Sequence, residues 1–325
     1  MKKNIAIIAG GDSSEVVVSL KSAAGLYSFM DKERYNLYIV TIVGKTWLVE
    51  WSDTEKIAID KNDFSFMREG EKTNFDFAYI TIHGTPGENG ILQGYFELIG
   101  LPYSCCGVLA AAITFNKFTC NQYLKGFGVK VSESLVLRFG QTVSNEEVAQ
   151  KIGFPCFVKP NVGGSSFGVT KVKSVDQVQP AIALAFAEGN EVMIEAFMAG
   201  TEITCGVYKT KNKTQVLPVT EVVSENEFFD YDAKYKGQVQ EITPARISDS
   251  LTERVQKLTS AIYDILGCKG IVRIDYIISE GDVINLLEVN TTPGMTPTSF
   301  IPQQVAAAGL DIKDVMTEII ENELS

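Results

Sequence analysis

The chain has 325 residues, of which 45% are hydrophobic and 21% charged, and a formal net charge of -11. That length supplies two or three domains with a full core. The acidic balance argues against a nucleic-acid partner or an anionic membrane surface, and no apolar run reaches the ~20 residues of a spanning helix.

The opening MKKNIAIIAGG has a lysine pair and an apolar stretch. The stretch stops at Gly10-Gly11, short of the ~7–15 residues of a signal-peptide core. It reads instead as a first buried strand, NIAIIAG at 4–10, of the continuous apolar kind found in parallel sheets. A helix is expected from about Ser14 to Met30, with Asp12-Ser13-Ser14 as N-cap candidates. Strands are expected at 36–43 and 75–84, which makes residues 1–100 a βαβ domain.

Residues 103–127 read as helical, and PCFVKP at 155–160 as a short strand leading into the glycine-rich NVGGSSFG. A helix near 175–187 and a strand at 191–197 complete a second domain, 101–198. The third, 199–325, has strands near 202–209, 215–222, 271–278 and 284–289, and a helix near 250–266. A polar stretch at 224–245, with four aromatics and two lysines, is long enough to suggest a lid. The expected class is therefore α/β with three domains.

The six cysteines, at 105, 106, 120, 156, 205 and 268, form no C-x-x-C pair. They fit buried reduced thiols of a cytoplasmic protein.

The run LLEVNTTPGM raises a chemical question. Glu288 and Asn290 are two apart on a strand, so they share a face. Asp275 lies thirteen positions before Glu288. If 271–278 and 284–289 pair antiparallel, these oxygen donors converge, and oxygen donors suit Mg²⁺. An inter-strand ion pair is the plainer alternative. Arg273, two before Asp275, would add a cation able to stabilise developing negative charge.

In VKPNVGGSSFG, Lys159 precedes glycines that let backbone N–H groups approach a phosphate. No Gly-Lys-Ser/Thr follows, so this is not a Walker A loop. The only histidine, His83, ends an expected strand beside Gly84 and ahead of Glu88. In open α/β sheets that end binds ligands.

Taken together, GGDSSEVVVS (10–19), HGTPGENGILQG (83–94), VKPNVGGSSFG (158–168), DYDAKY (230–235) and RID…LLEVNTTPGM (273–295) resemble the successive motifs of the D-alanine–D-alanine ligases, of the ATP-grasp superfamily. The likeness runs in order along nearly the whole chain. It implies a three-domain ATP-grasp architecture and ATP-dependent joining of two D-alanines through an acylphosphate, for peptidoglycan. D-lactate or D-serine as acceptor, another ATP-grasp carboxylate–amine ligase, and a non-catalytic nucleotide-binding domain are the rivals.

The resemblance also implies roles. Lys117, Lys159 and Lys234 would bind ATP, with Glu195 and the backbone at Phe197 and Met198 reading the adenine edge and Glu202 the ribose. Asp275, Glu288 and Asn290 would hold two Mg²⁺ ions, with Mn²⁺ as a substitute. Glu15 would anchor the first D-alanine's ammonium, with Ser165 and Tyr235 hydrogen-bonded to it. Arg273 and the Gly294 N–H would stabilise the tetrahedral oxyanion. Ser299 with Arg273 would hold the terminal carboxylate, and His83 would lie near the first substrate. The implied partners are D-alanine, ATP and a second copy in a homodimer, with no nucleic acid and no membrane.

Three features depart from the pattern, one of them Phe229, which stands where some relatives have tyrosine. Val16 and Val17 stand where many relatives carry charge, and Tyr276 follows RID where an aliphatic residue is usual. Tyr276 is expected beside the adenine pocket.

Overall fold

The computed structural model of the chain describes residues 2–13, 15–164, 168–224 and 239–325. β1 (Lys3–Gly10) leads to α1 (Val16–Phe29) and then β2 (Tyr35–Val43). Four short strands follow: β3 (Thr46–Glu50), β4 (Lys56–Asp60), β5 (Ser65–Arg68) and β6 (Glu71–Thr73), then β7 (Phe77–Ile80). They form one seven-stranded sheet in the order β6-β5-β4-β3-β2-β1-β7. β1 lies between β2 and β7, parallel to both. Covered on both faces, it is apolar along its whole buried length.

The β3–β6 ribbon is antiparallel and has no counterpart in the sequence expectation. Its strands are short and partly polar. Edge-on aromatic pairs anchor it, such as Trp47 with Tyr95 at 5.2 Å and Tyr38 with Phe66 at 5.5 Å between ring centres. β7 is also shorter than the expected 75–84, because the chain leaves the sheet after Ile80.

α1 begins two residues later than expected, and Glu15 at its cap makes no side-chain capping bond. Two of the residues expected to cap it, Asp12 and Ser13, are used elsewhere. Asp12 accepts the Gly44 N–H at 2.6 Å. Ser13 donates to the His83 carbonyl at 3.1 Å and accepts from the Glu15 N–H at 3.2 Å.

After α2 (Ile91–Ile99), the helical region expected at 103–127 is two helices, α3 (Val108–Phe115) and α4 (Lys117–Lys125). Asn116 leaves the helical conformation, and its side chain accepts the Thr119 N–H at 2.9 Å, opening α4.

β8 (Ser134–Arg138), α5 (Asn145–Lys151), β9 (Cys156–Pro160), β10 (Thr170–Val172), α6 (Val178–Glu188) and β11 (Glu191–Ala196) follow. Their antiparallel sheet runs β10-β9-β11-β8. Val158, Val172 and Ile194 pack against Ala181 and Ala185 of α6.

The remainder holds β12 (Thr201–Thr210), β13 (Lys213–Val216), β14 (Thr220–Ser224), β15 (Val239–Ile242), α7 (Asp249–Ile265), β16 (Ile271–Ser279), β17 (Val283–Asn290), α8 (Phe300–Ala307) and α9 (Ile312–Leu324). The sheet order is β15-β14-β12-β16-β17, with β13 beside β12. The single strand expected at 215–222 is two, because Pro218 has no N–H to give to a ladder.

Tyr276 is fully buried, and its hydroxyl meets Thr259 of α7 at 2.8 Å. Val17 is 57% exposed on α1, so the departure there changes surface rather than packing. All six cysteines are buried and free, as expected. No helix among the described residues is long and apolar enough to cross a membrane.

One core joins the first sheet to the last helices. Ile5, Ile7, Ala23 and Leu26 pack with Met295, Ile301, Val305, Val315 and Ile319. This packing holds the loop after β17 against α1, where the two ends of the chain build one site.

Candidate active site

β16 and β17 pair antiparallel with Asp275 opposite Glu288 and Arg273 opposite Asn290. The register shifts just after Asp275, a bulge that re-aims side chains at a strand end. The Arg273 guanidinium grips Asp275 with two bonds, Nε to Oδ1 at 2.9 Å and Nη2 to Oδ2 at 2.8 Å. Thr204 of β12 donates to Asp275 Oδ1 at 2.5 Å, and the Asn290 amide donates to Oδ2 at 3.0 Å. Burial disfavours the Arg273 charge, but Asp275's charge and hydrogen bonds outweigh it and push its pKa up. Its guanidinium carbon also lies 5.3 Å from the centre of the Phe300 ring.

The glycine-rich loop faces this set. Lys117, first residue of α4, donates to the Gly163 carbonyl at 2.6 Å and lies 4.0 Å from Glu288 Oε2. Asn161 fixes the approach: its carbonyl accepts the Lys117 N–H at 3.1 Å and its side-chain oxygen the Phe118 N–H at 2.8 Å. One lysine thus bridges the loop and the acidic pair.

Behind the loop, Lys159 of β9 pairs with Glu195 of β11, both buried. Phe197 follows on the same face as Glu195, its ring centre 5.9 Å from that of Phe157 and 4.1 Å from the Lys171 ammonium. Met198 is half-buried beside it. Glu202, at the start of β12, adds its charge to those around Arg273.

The N-terminal side brings Glu15. A Cβ built on Gly164 would lie 2.7 and 2.8 Å from the two Glu15 carboxylate oxygens, so the loop backbone rests on that carboxylate. Ser165 is the next residue. Ser165, Lys234 and Tyr235 lie outside the described residues, as does 225–238 of the stretch expected to be a lid.

His83 is buried, with Nε2 3.4 Å from the Ser22 hydroxyl and a backbone contact to Thr292. Loss of solvent lowers its pKa, the Arg273 charge adds to the drop, and the Glu15 charge opposes it. Gly294 leaves room for Ser299, whose Oγ would be 3.0 Å from a Cβ there. That hydroxyl takes the Thr296 N–H at 3.1 Å and tightens the turn before α8.

Three residues that the motifs did not single out belong here. Thr204 braces Asp275 from the neighbouring strand. Glu88 and Thr292 meet behind His83. The signal for Glu88 was present in HGTPGENG, a carboxylate five residues after the histidine inside a glycine-rich turn. Nothing in the sequence distinguished Thr292 from Thr291.

The three sheets, with these oxygen donors, the lysine-bridged glycine loop and the buried arginine brought together between them, have the architecture of the ATP-grasp ligases. Comparison with known proteins agrees. Residues 4–106 match the model of the D-ala D-ala ligase N-terminus and residues 123–321 that of its C-terminus. A D-alanine–D-alanine ligase of Bacteroides fragilis is 74% identical over 323 residues, covering 99% of this chain and all of the relative. The structure of the D-alanyl-alanine synthetase A of Vibrio cholerae matches with a TM-score of 0.88 at 28% identity, covering 99% of this chain and 98% of that one. VanG, the D-Ala:D-Ser ligase of Enterococcus faecalis, matches with a TM-score of 0.87 at 29% identity, covering 99% and 100%. The chain belongs to the D-alanine–D-alanine ligase family, and it is an ATP-dependent ligase.

Proposed function

We propose how the chain's residues divide the work of its reaction, the ATP-dependent joining of two D-alanines to D-alanyl-D-alanine for cell-wall synthesis. The observation that carries the proposal is Lys117, poised between Gly163 O and Glu288. It joins a phosphate-cradling loop to a carboxylate set, as transfer of a γ-phosphoryl group requires.

The donor's carboxylate oxygen attacks the γ-phosphorus, giving an acylphosphate and ADP. The acceptor's amine, once deprotonated, attacks the acyl carbon, and phosphate leaves with the electron pair of the broken C–O bond. Glu15 anchors the donor ammonium against the loop at Gly164, with Ser165 and Tyr235 as its hydrogen-bonding partners. His83, kept neutral by burial, borders that subsite. Arg273 and the Gly294 N–H receive the oxyanion, and Arg273 with Ser299 receives the acceptor carboxylate. Lys117, Lys159 and Lys234 hold ATP, Glu195 with the backbone at Phe197 and Met198 takes the adenine edge, and Glu202 takes the ribose.

Asp275, Glu288 and Asn290 fit Mg²⁺ by their chemistry: hard oxygen donors at adjoining strand ends, with the Asn290 amide nitrogen turned to Asp275 and its oxygen left for another partner. Bound there, Mg²⁺ would neutralise phosphate charge.

The domains follow the three sheets, 1–100, 101–198 and 199–325. The cellular site is the cytoplasm, where ATP is. The homodimer has an apolar face to use, since Ile91 and Leu98 of α2 and Leu109 of α3 are 62%, 88% and 73% exposed. Sedimentation at micromolar chain tests it, and a monomer refutes it.

The reaction is tested by supplying ATP and Mg²⁺ with D-alanine alone, or with D-serine or D-lactate as competing acceptor, and identifying products by mass. D-Alanyl-D-alanine should dominate. A mixed dipeptide or an ester as the main product would reassign the acceptor.

A further inference from the structure

The turn between β7 and α2 contains a carboxyl group to which no role has yet been given. Glu88 Oε2 accepts the Gly84 N–H at 2.7 Å, while the Gly87 and Glu88 N–H groups donate to the Gly84 carbonyl at 2.8 and 2.9 Å. Glu88 therefore closes the turn through its own side chain. Gly84 has φ +77°, and a Cβ there would lie 3.1 Å from Ser13 Oγ and 3.8 Å from a Glu15 carboxylate oxygen. The turn is pressed against the start of α1, beside the ammonium anchor.

On its other side the Glu88 carboxyl meets the Thr292 hydroxyl. That hydroxyl also donates to the Ile82 carbonyl at 3.4 Å, and Thr292 is 4% exposed. The Glu88 carboxyl and the Ile82 carbonyl thus share the Thr292 hydroxyl as donor. Enclosure by protein pushes the Glu88 carboxyl up to about 7, with the Glu15 charge adding to the rise and the Gly84 N–H, the Thr292 hydroxyl and Lys117 opposing it. Near neutral pH it therefore adds only part of a charge beside Glu15.

We propose that Glu88 is a positioning residue, which through the Gly84 N–H and the Thr292 hydroxyl sets the distance between Glu15 and the backbone N–H of Gly294. This rests on the roles proposed above for Glu15 and Gly294. The donor D-alanine must span those two groups, its ammonium on one and its reacting carbonyl on the other. A misplacement of ~1 Å between anchor and oxyanion donor is enough to cost ~100-fold in rate. Glu15 belongs to the first sheet's side of the site and Gly294 to the loop after β17, and Glu88 touches the neighbours of both.

The test is a double-mutant cycle of Glu88→Ala and Thr292→Val, with Glu88→Gln as the conservative variant. For each, kcat, the KM of the donor D-alanine, the KM of ATP and the melting temperature are measured. Glu88→Ala should lower kcat/KM for the donor about tenfold, the size of one buried hydrogen bond, and leave the KM for ATP within about twofold. Thr292→Val should act in the same direction. The double variant should be no worse than the worse single variant, because both break one connection. Gln retains an acceptor for Gly84 and should recover most of the loss. Additive losses, a matching rise in the KM for ATP, or wild-type constants for Glu88→Ala would each overturn the proposal. If the alanine variant fails to fold, Glu88→Met, which keeps the bulk and removes the carboxyl group, takes its place in the cycle. Glu15→Gln is run separately: unchanged donor affinity there sinks the underlying role of Glu15, whatever the Glu88 cycle gives.

Discussion

Asp275 and Glu288 stand opposite each other across the β16–β17 pair, and the ladder slips by one residue immediately after Asp275. The pairing puts both carboxylates at the site end of the sheet. The Asn290 amide is bonded to Asp275, and Arg273 grips the same carboxylate. Arg273, Asp275 and Asn290 are thereby held together before any phosphate arrives, and Lys117 lies 4.0 Å from Glu288.

Glu288→Gln keeps the size of that side chain and removes its charge. Turnover should fall at least ~100-fold, the loss of a main electrostatic contribution. The melting temperature should barely move, because Glu288 is only part-buried. Turnover measured across a Mg²⁺ titration decides it, and near-normal rates at saturating Mg²⁺ would place the metal elsewhere.

Gly164→Ala introduces a methyl group 2.7 Å from a Glu15 carboxylate oxygen. The far end of a flexible side chain can swing away, so the fold should survive while the ammonium anchor moves. The KM for the donor should rise ~10-fold or more with little change in melting temperature. An unchanged donor KM would mean that Glu15 does not hold the substrate where the loop holds Glu15.

Gly25→Ala is the opposite case. Its methyl group would run into the Met295 carbonyl oxygen, which is backbone and cannot rotate aside. The contact presses α1 onto the loop that carries Gly294. Overpacking of this kind costs ~1–3 kcal/mol, so chemical denaturation should show a clear loss of stability together with lost activity. Wild-type stability would show that α1 can lift from the loop freely.

The sequence made the ends of the site readable and left its middle obscure. Glu288 and Asn290 could be placed on one face because strand periodicity is strict, and the antiparallel pairing of the two strands brings Asp275 beside them, as that reading required. Lys117 and Glu15 came from motif likeness alone, since nothing local marks them as neighbours of Gly163 and Gly164. The β3–β6 ribbon was illegible because its strands are short and partly polar, with a core made of aromatics far apart in the chain. The direction of the Tyr276 ring was illegible for a different reason: a bulge follows Asp275, and only the packing of α7 shows which way the next ring turns. Glu88 was passed over because its significance lies in enclosure, which no spacing reveals.

That enclosure gives a pH signature. The folded protein raises the Glu88 carboxyl from its ordinary 4.5 to about 7, by burial first and by the Glu15 charge after it. Between those values the folded chain binds a proton that the unfolded chain has released, so stability falls as pH rises. The contribution is complete below 4.5 and is lost as pH passes 7. His83 works the other way. Burial lowers its pKa below the ordinary 6.5, so the unfolded chain takes up the proton first and stability falls as pH drops through that value. Glu88→Gln removes the first effect and keeps the second. The melting temperature of the variant, relative to the parent chain, should therefore climb steadily from about pH 5 to about pH 8, by the equivalent of ~1–3 kcal/mol. Thermal melts of both proteins in matched buffers across that range provide the measurement. A constant difference at every pH would mean that Glu88 titrates like an ordinary surface carboxylate, and the closed turn at Gly84 would then have to hold a full charge beside Glu15.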